Sequence, residues 1–410
     1  MLKRAMSFAA IAALLLAACG GDDSSDSSSG DTGTTAAGGA GETTVKATGT
    51  PIVLGAVASF TGVDIFPESP NTAKVVFDEV NKQGGVNGHP IEYLTEDDLN
   101  TAEGAAAAAK LLVEEKKVLA LVGGGSIVDC TTNAKYYKEQ NVLNLGGVLA
   151  CGPDAGNVAS MNTGPFLGTM MTWSYMVEEM GVKNLCFSGL NVGLTPLFRD
   201  TFMPLWEQTT GYKIHSFITS EPNEDLTGAV VKAKQDGCDG VLIAYTEPNY
   251  IAYAQIAASQ GLLDGKIKYG MLTSGYSLNV LDKLGNDGED WVSNSEFLPY
   301  TEDASVSPDL ADFKRVLEEG GLEETSFAQG GYLSAKAMIE VLKTVQGEYT
   351  RESVTAALNA MNYQTDLLGN PATWIPYEGP NQLNTTSKIV QIKDGKFVTI
   401  SDWVQWPPKK

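Results

Sequence analysis

A glycine-rich loop, VGGGSIVD at residues 122–129, is the stretch of this sequence with the clearest capacity to bind a ligand. The loop lacks the third glycine of a dinucleotide-binding pattern, because Val128 stands there, and it lacks the Gly-Lys-Ser/Thr ending of a P-loop. What remains is a helix start with a hydroxyl and backbone N–H groups, which suits a carboxylate as readily as a phosphate. The alternative is a tight turn in which Ser126 caps the helix.

Side chains suited to catalysis are scarce. One histidine, His89, lies in a predicted turn, the other, His215, lies inside a predicted strand, and no G-x-S-x-G elbow occurs. Acidic pairs such as Asp97–Asp98 stand beside predicted helix ends, where solvated charge is ordinary. The sequence therefore disfavours an enzyme, and it indicates neither a cofactor nor a metal.

Four tyrosines lie beside predicted loops at strand ends or at a helix start, namely Tyr245, Tyr250, Tyr276 and Tyr332. In open α/β sheets, ligands bind outside the carboxyl ends of the strands, and pockets favour domain interfaces. These tyrosines are therefore candidate ligand contacts. Packing at the rim of a sheet is the alternative for each of them.

Alternating strands and helices position these groups. From Pro51 onward, short aliphatic runs such as IVLGAVA alternate with amphipathic helices, the first of which repeats apolar residues at helical spacing over residues 73–80. Ser69, Thr101 and Thr350 are predicted helix caps. This βαβ repetition predicts an α/β protein with parallel sheets covered by helices on both faces.

Length and charge limit the class of protein further. About 360 residues follow the N-terminal segment, more than one hydrophobic core usually supports, so two domains are expected. After about residue 305 the alternation gives way to consecutive helices, and a hairpin is predicted around Asp394–Gly395. The formal net charge of −22 argues against nucleic-acid binding.

The cysteines suggest an exported protein with disulfides. Apart from Cys19 there are four, which allow three connectivities. Cys130 and Cys151 lie just after consecutive predicted strands, and Cys186 and Cys238 lie at neighbouring strands further along. We therefore predict the pairs Cys130–Cys151 and Cys186–Cys238. Zinc binding is the alternative, although no CxxC spacing occurs.

The N-terminal segment MLKRAMSFAAIAALLLAAC joins a positive start to an apolar run about half as long as a membrane-spanning helix requires. Residues 16–19, Leu-Ala-Ala-Cys, resemble the lipobox of bacterial lipoproteins, in which the peptide is cut before a lipidated cysteine. This resemblance implies a signal peptide over residues 1–18 and lipid on Cys19; an ordinary signal peptide is the alternative. Residues 19–50 are rich in Gly, Ser, Thr, Ala and Asp, which predicts a disordered tether.

The order of motifs along the chain resembles the branched-chain amino-acid-binding (Leu/Ile/Val-binding) family, the type I periplasmic substrate-binding proteins of ABC importers. The similar stretches are IVLGAVASFTG, NKQGGVNGHPIEYLTEDD, LVGGGS and QIKDGKFV, within about residues 51–405. The resemblance implies two Rossmann-like lobes of parallel sheet flanked by helices, three hinge crossings and a ligand cleft between the lobes. Lobe one would comprise residues 51–160 plus 300–362, and lobe two residues 161–299 plus 363–410.

The same resemblance implies which loops hold the ligand, with the Ser126 loop and the loop after the next strand on its carboxylate. The implied contacts are Phe66, Gly125, Ser126, Val148, Leu149, Ala150, Leu194, Thr195, Tyr245, Thr246, Glu247, Thr273, Ser274, Tyr276 and Tyr332. The acidic residue that holds the ligand ammonium in this family has no counterpart near Thr273–Ser274, and Glu247 is the candidate substitute. Leucine, isoleucine or valine is therefore in doubt as the ligand, and an amide, urea or an organic acid is an alternative.

As a whole, the resemblance implies an extracytoplasmic lipoprotein that captures a small polar ligand by hinge closure and presents it to an ABC permease. The ligand would be an amino acid, an amide or a small carboxylate. We expect a monomer, held by its lipid on the outer face of the bacterial cytoplasmic membrane. A ligand-sensing receptor subunit of the same fold and a secreted α/β hydrolase are the alternatives.

Overall fold

The computed structural model of the protein describes residues 46–62, 65–151, 155, 157–373 and 381–408. The predicted signal peptide, Cys19 and the tether up to residue 45 lie outside these residues. Within the part of the chain that is described, no helix is both long enough and apolar enough to cross a membrane.

Short, mostly buried strands alternate with helices along most of the chain, as the sequence predicts. The strands are β1 (Ile52–Ala58), β2 (Ile91–Asp97), β3 (Ala120–Val122), β4 (Gly125–Ser126), β5 (Asn144–Gly146), β6 (Val148–Leu149), β7 (Val158–Ser160), β8 (Leu185–Leu190), β9 (Ser216–Ser220), β10 (Gly240–Ala244), β11 (Lys268–Met271), β12 (Val292–Ser295), β13 (Asn362–Tyr363), β14 (Ala372–Thr373), β15 (Asn381–Gln382), β16 (Thr386–Lys393), β17 (Lys396–Thr399) and β18 (Val404–Gln405).

These strands form two eight-stranded sheets and one small hairpin, β13–β14. In the first sheet the order is β15-β7-β5-β3-β1-β4-β6, with β2 also on β1, and every pairing is parallel. The second sheet runs β17-β16-β12-β11-β10-β8-β9, with β18 on β16. Strands β8 to β12 are parallel, whereas β16 is antiparallel to β12 and to β17. Both sheets therefore carry the parallel core that the sequence predicts.

Helices cover both faces of each sheet, as βαβ connections require. They are α1 (Glu68–Lys82), α2 (Ala102–Lys110), α3 (Asp129–Glu139), α4 (Gly164–Glu178), α5 (Thr195–Leu197), α6 (Met203–Thr210), α7 (Thr227–Gln235), α8 (Glu247–Ser259), α9 (Leu278–Leu284), α10 (Pro308–Gly320), α11 (Ser326–Thr344) and α12 (Arg351–Asn359). In the first sheet, α2 and α3 pack on one face and α1, α10 and α11 on the other. In the second sheet, α4 and α6 cover one face and α7, α8 and α9 the other.

The chain passes between the two sheets at three places, which we name the crossings. The first crossing (residues 161–163) leads from β7 to α4, and the second (296–307) leads from β12 back to α10. The third (383–385) leads from β15 to β16. Because β15 pairs with β7 in the first sheet, residues 381–382 belong with that sheet, although the sequence analysis groups them with lobe two.

Most of the predicted local signals are present. The Thr101 and Thr350 hydroxyls accept hydrogen bonds from backbone N–H groups at the starts of α2 and α12. Asp394 and Gly395 both have positive φ and join β16 to β17, which confirms the predicted hairpin. Ser69, however, does not cap α1, because the helix begins at Glu68 and Ser69 is already inside it. The buried Ser69 hydroxyl instead donates to the Gly123 carbonyl at 2.9 Å.

Both predicted disulfides are present in the structure. Cys130, at the start of α3, is bonded to Cys151, just beyond β6, with their Cα atoms 5.3 Å apart. Cys186, in β8, is bonded to Cys238, just before β10, with a Cα separation of 5.9 Å. Each bridge links neighbouring βα units, one associated with each sheet.

Candidate ligand site between the two sheets

The glycine loop packs closely against the segment that contains Phe66. Gly123 has a φ of +65°, which a side chain would strain. A Cβ placed on Gly125 would lie 2.4 Å from the Phe66 carbonyl oxygen, so only glycine allows this approach. The Phe66 ring in turn packs edge-on against Phe327 of α11, with ring centroids 4.9 Å apart. The structure thus brings together Phe66 and Gly125, two residues predicted from distant parts of the sequence.

Ser126 is completely buried, and its hydroxyl is fully engaged. It donates to the Asp98 carboxylate and accepts hydrogen bonds from the N–H groups of Asp129, at 2.9 Å, and Val128, at 3.2 Å. Ser126 therefore caps the start of α3, as the alternative interpretation of the loop stated. A ligand carboxylate could accept a hydrogen bond from the Ser126 hydroxyl only by displacing the Asp98 carboxylate. Otherwise it would have to bind backbone N–H groups of the loop.

Asp98 corrects one prediction from the sequence. We expected this acidic residue to be solvated, yet it has no exposed surface. Its carboxylate accepts hydrogen bonds from Ser59 at 3.0 Å and from the Asn100 N–H at 2.7 Å, in addition to Ser126. These donors lie at the carboxyl ends of β1, β2 and β4, which meet at one edge of the sheet. Burial is tolerable because each donor partly replaces the lost hydration.

A second buried carboxylate, Asp129, lies at the start of α3. It accepts hydrogen bonds from Tyr137 at 2.6 Å, Asn133 at 2.8 Å and Asn144 at 2.9 Å. Burial raises the pKa of Asp129 to about 6, although these hydrogen bonds oppose the rise. No local pattern in the sequence marks Asp129 as special, because its partners come from a later turn of α3 and from β5.

The loop after β6 faces the second sheet. Leu149 and Ala150 line a small cavity together with Thr163 and two phenylalanines, Phe166 and Phe202. The two phenylalanine rings stack with centroids 4.2 Å apart. Two further apolar side chains, Ile127 and Leu194, pack against the same cluster. Three predicted contacts, Leu149, Ala150 and Leu194, are therefore gathered at an aromatic cluster between the sheets. Val148, Leu149 and Ala150 are all buried.

The four candidate tyrosines are buried, each with at most 3% of its surface exposed. Their hydroxyls bond internally: Tyr245 with Ser188 at 3.1 Å, and Tyr250 with Ser274 at 2.8 Å. Tyr276 bonds with Thr301 at 2.9 Å, and Tyr332 donates to Asp312 of α10 at 2.6 Å. Burial raises the pKa of each of the four tyrosines. This is the arrangement that the packing alternative describes, and their role as ligand contacts stays a prediction.

The other predicted hydroxyl residues on the second sheet lie at its carboxyl edge, each bonded to its own loop or to a strand end. Thr195 donates to the Leu190 carbonyl at 2.8 Å, and Thr273 donates to the Asn294 carbonyl at 2.8 Å. Thr246 donates to Asn249 at 2.7 Å. The structure therefore places Thr195, Thr246, Thr273 and Ser274 close to the strand ends, with their hydroxyls used to hold the loops.

Two acidic residues approach each other from opposite sheets. Burial raises the pKa of Glu68, at the start of α1, and the nearby charges of Glu247 and Glu323 raise it further, against one backbone hydrogen bond. Glu247, at the start of α8, accepts a hydrogen bond from Asn279 at 2.7 Å. The predicted acidic residue Glu247 thus has a counterpart, Glu68, which no sequence motif indicates.

A third missed carboxylate, Glu296, sits at the crossings with 2% of its surface exposed. Its Oε1 accepts hydrogen bonds from the Gly164 N–H at 2.9 Å and the Thr163 hydroxyl at 3.1 Å. Burial raises the pKa of Glu296 to about 7, against these hydrogen bonds. Its position directly after the polar strand VSNS is the only sign of it in the sequence.

Two α/β lobes joined by three crossings, with loops from both sheets meeting at their strand ends, define a two-lobed binding protein. The family described as "Periplasmic binding protein" matches residues 51–396. This match covers most of the chain, and the protein belongs to the periplasmic binding protein family. The family expected from the order of its motifs is thereby confirmed.

Individual relatives are distant but similar along most of their length. The Leu/Ile/Val-binding protein homolog 8 of Brucella abortus is 22% identical over 361 residues, which cover 81% of this chain and 85% of the relative. The structure of LivJ from Streptococcus pneumoniae, a branched-chain amino acid transporter substrate-binding protein in complex with isoleucine, has a TM-score of 0.71 at 14% identity, covering 86% and 99% of the two chains. A solute-binding protein of an ABC transporter from R. palustris, in complex with 4-hydroxybenzoate, has a TM-score of 0.71 at 16% identity, covering 87% and 97%.

Proposed function

We propose that this protein is the extracytoplasmic solute-binding lipoprotein of an ABC importer, which captures a small polar molecule between its lobes and delivers it to a permease. The observation that carries the proposal is the convergence of the β4 and β6 loops with Phe166, Phe202 and Leu194 of the second sheet. Pockets for small ligands are concave, largely apolar and placed between domains. The family match supports the same assignment.

Function in this proposal is binding combined with a population shift between open and closed forms. The three crossings act as the hinge, and ligand contacts from both lobes stabilise the closed form. Lobe one comprises residues 51–160 plus 300–362, with β15 added from its pairing to β7. Lobe two comprises the remainder, residues 161–299 plus 363–410 without β15. No covalent step is required.

The surroundings of the cleft narrow the class of ligand. In this proposal Leu149, Phe166 and Phe202, which are buried against one another here, form the apolar wall of the cleft in the open form. Such a wall favours a ligand with an apolar body, and isoleucine and 4-hydroxybenzoate, bound by two structural neighbours, both have one. Glu68 and Glu247, whose carboxylates interact, favour a positively charged or N–H-bearing group. An amino acid or an amide satisfies both requirements, and a small carboxylate satisfies the first.

Anchoring belongs to the same proposal. Lipid on Cys19 would hold the acidic body near the outer face of the cytoplasmic membrane through the tether of residues 19–50. Replacing Cys19 by serine is expected to release the protein into the soluble fraction of cells. Retention of the Cys19→Ser variant on membranes would contradict the anchor.

A thermal-shift screen of the purified protein tests the binding function. The panel comprises amino acids, amides, urea and aromatic and aliphatic carboxylates. A ligand at a hundred times its Kd stabilises the folded state by about 2.7 kcal/mol, which gives a clear rise in Tm. Failure of every compound class to raise the Tm, with the protein folded, would contradict a binding function for these ligand classes.

A further inference from the structure

One buried residue, Glu296, contacts all three crossings, the first through its side chain and the third through its backbone carbonyl. Glu296 opens the second crossing, and its Oε1 accepts hydrogen bonds from Asn162 at 3.4 Å and Thr163 at 3.1 Å, both in the first. It also accepts one from the Gly164 N–H at the start of α4. From the third crossing, the Asn384 side chain donates to the Glu296 backbone carbonyl at 2.6 Å. A change in the relative position of any two crossings therefore disturbs the contacts of this residue.

The hydrogen bonding of this junction is incomplete. The second carboxylate oxygen of Glu296, Oε2, is buried without a hydrogen-bond partner among the described residues. Two neighbours share this state: both side-chain amide atoms of Asn294 and the hydroxyl of Ser387. Asn294 is in β12 and Glu296 directly follows that strand, and Ser387 is next to Lys388, the residue of β16 that pairs with Ser295. A Cβ on Gly168 of α4 would lie 2.6 Å from Asn294, so α4 packs closely against this residue.

We propose that Glu296 is the positioning residue of the hinge: its protonated carboxyl favours the closely packed junction seen here, and its ionised carboxylate favours a looser, hydrated arrangement of the three crossings. A buried ion with one unpartnered oxygen gains hydrogen bonds when water enters, whereas a neutral carboxyl gains much less. The neighbouring polar atoms of Asn294 and Ser387 gain partners from the same water. This inference rests on the proposed function only in treating the crossings as a hinge.

The charges around Glu296 support its control of the junction. Its partners in the first crossing, Asn162, Thr163 and Gly164, are neutral, as are Asn384 of the third crossing and Ser387 of β16. The nearest charged residue in the strand register is Lys388, which pairs with Ser295 and directs its Nζ toward the Ser401 carbonyl. Burial without a compensating cation raises the pKa of Glu296 to about 7, so the switch falls near neutral pH.

Hydrogen exchange of the ligand-free protein, followed by mass spectrometry at pH 6, 7 and 8 and corrected for the intrinsic exchange rate, tests this inference. We expect protection of peptides containing Gly164 to fall about tenfold from pH 6 to 8, since each pKa unit corresponds to a tenfold change in population. The Glu296→Gln variant should show no such fall. The exposed Glu289→Gln variant is the matched control and should behave as the wild type does.

A second variant keeps the test decisive if Glu296→Gln does not fold. Thr163→Val removes one donor to the carboxylate but leaves it able to ionise, so the midpoint of the pH profile should move to higher pH. Wild-type and Glu296→Gln profiles that coincide, or an unmoved midpoint in Thr163→Val, would overturn the assignment. Because no ligand is added, this result is independent of the outcome of the ligand screen.

Discussion

The Ser126 hydroxyl donates to the buried carboxylate of Asp98, and this contact joins the glycine loop to the end of β2. The same hydroxyl accepts two N–H groups from the first turn of α3. Ser126 therefore holds three elements at the edge of the first sheet, whether or not a ligand is bound. Any role in ligand binding is superimposed on this structural one.

Replacing Ser126 by alanine is expected to weaken ligand binding without unfolding the protein. The loss of a donor to a buried carboxylate, together with a helix cap, should reduce the free energy of unfolding by about 1–3 kcal/mol. Urea unfolding measures this change, and calorimetry with a compound from the thermal-shift screen measures affinity.

Ser59→Ala is the matched control for that variant. It removes the other hydroxyl donor to Asp98 but leaves the cap of α3 in place. We expect a similar loss of stability with a smaller effect on affinity. If Ser126→Ala binds the compound as tightly as the wild type, the assignment of the loop to the ligand carboxylate is wrong.

Gly125→Ala should distort the glycine loop, because the added Cβ would meet the Phe66 carbonyl oxygen at 2.4 Å. Either Phe66 or the loop has to shift, so we expect a loss of about 1–3 kcal/mol in the free energy of unfolding. Gly228→Ala is the control, since a Cβ on Gly228, in α7, meets no atom within 4 Å. That change should leave stability unaltered or raise it slightly. Equal melting temperatures for the two variants would contradict the close approach of Phe66.

How much the sequence predicts depends on how local the cause is. The caps at Thr101 and Thr350 and the Asp394–Gly395 turn depend on neighbours within a few residues, and all three are present. Ser69 fails as a cap because its hydroxyl bonds to Gly123, 54 residues away along the chain. A contact over such a distance leaves no periodic signal in the sequence.

In the candidate site, too, local features were predictable from the sequence and long-range contacts were not. The family resemblance predicts Leu149, Ala150 and Leu194 as ligand contacts, and the structure brings Leu149 and Ala150 of the first lobe and Leu194 of the second to one aromatic cluster. The burial of Asp98 and Glu296 depends instead on how separate loops and crossings fold over each other. Both carboxylates therefore look like ordinary surface residues until the structure is known.

Removing either disulfide should destabilise the folded protein, and we expect the two losses in free energy of unfolding to differ. Cys186 and Cys238 are 52 residues apart in the sequence, whereas Cys130 and Cys151 are 21 residues apart. The first bridge therefore closes the longer loop. In the chain-entropy account, opening the longer loop costs about 4 kcal/mol and the shorter about 3 kcal/mol. Paired Cys→Ala variants and urea unfolding measure both values. Mass mapping under non-reducing conditions that finds four free thiols would contradict both bridges.

The buried carboxylate of Asp129 should make stability depend on pH. Since its pKa is raised to about 6 in the folded protein, the folded state binds the proton more tightly than the unfolded chain does. Its contribution to stability is therefore complete below the unfolded pKa, near 4, and is lost as the pH rises through 6. The complete loss should be on the order of 3 kcal/mol, since one pKa unit corresponds to about 1.4 kcal/mol.

Urea unfolding at pH 4, 5, 6 and 7 of the wild type and of Asp129→Asn isolates this effect. The variant cannot ionise, but its amide group faces the Asn144 donor, so we expect lower stability at every pH and a flatter slope between pH 4 and 6. Glu139→Gln, at the exposed end of the same helix, should keep the wild-type slope. Parallel pH curves for wild type and Asp129→Asn would show that this carboxylate titrates normally, and that the hydrogen bonds from Tyr137 and Asn133 offset its burial.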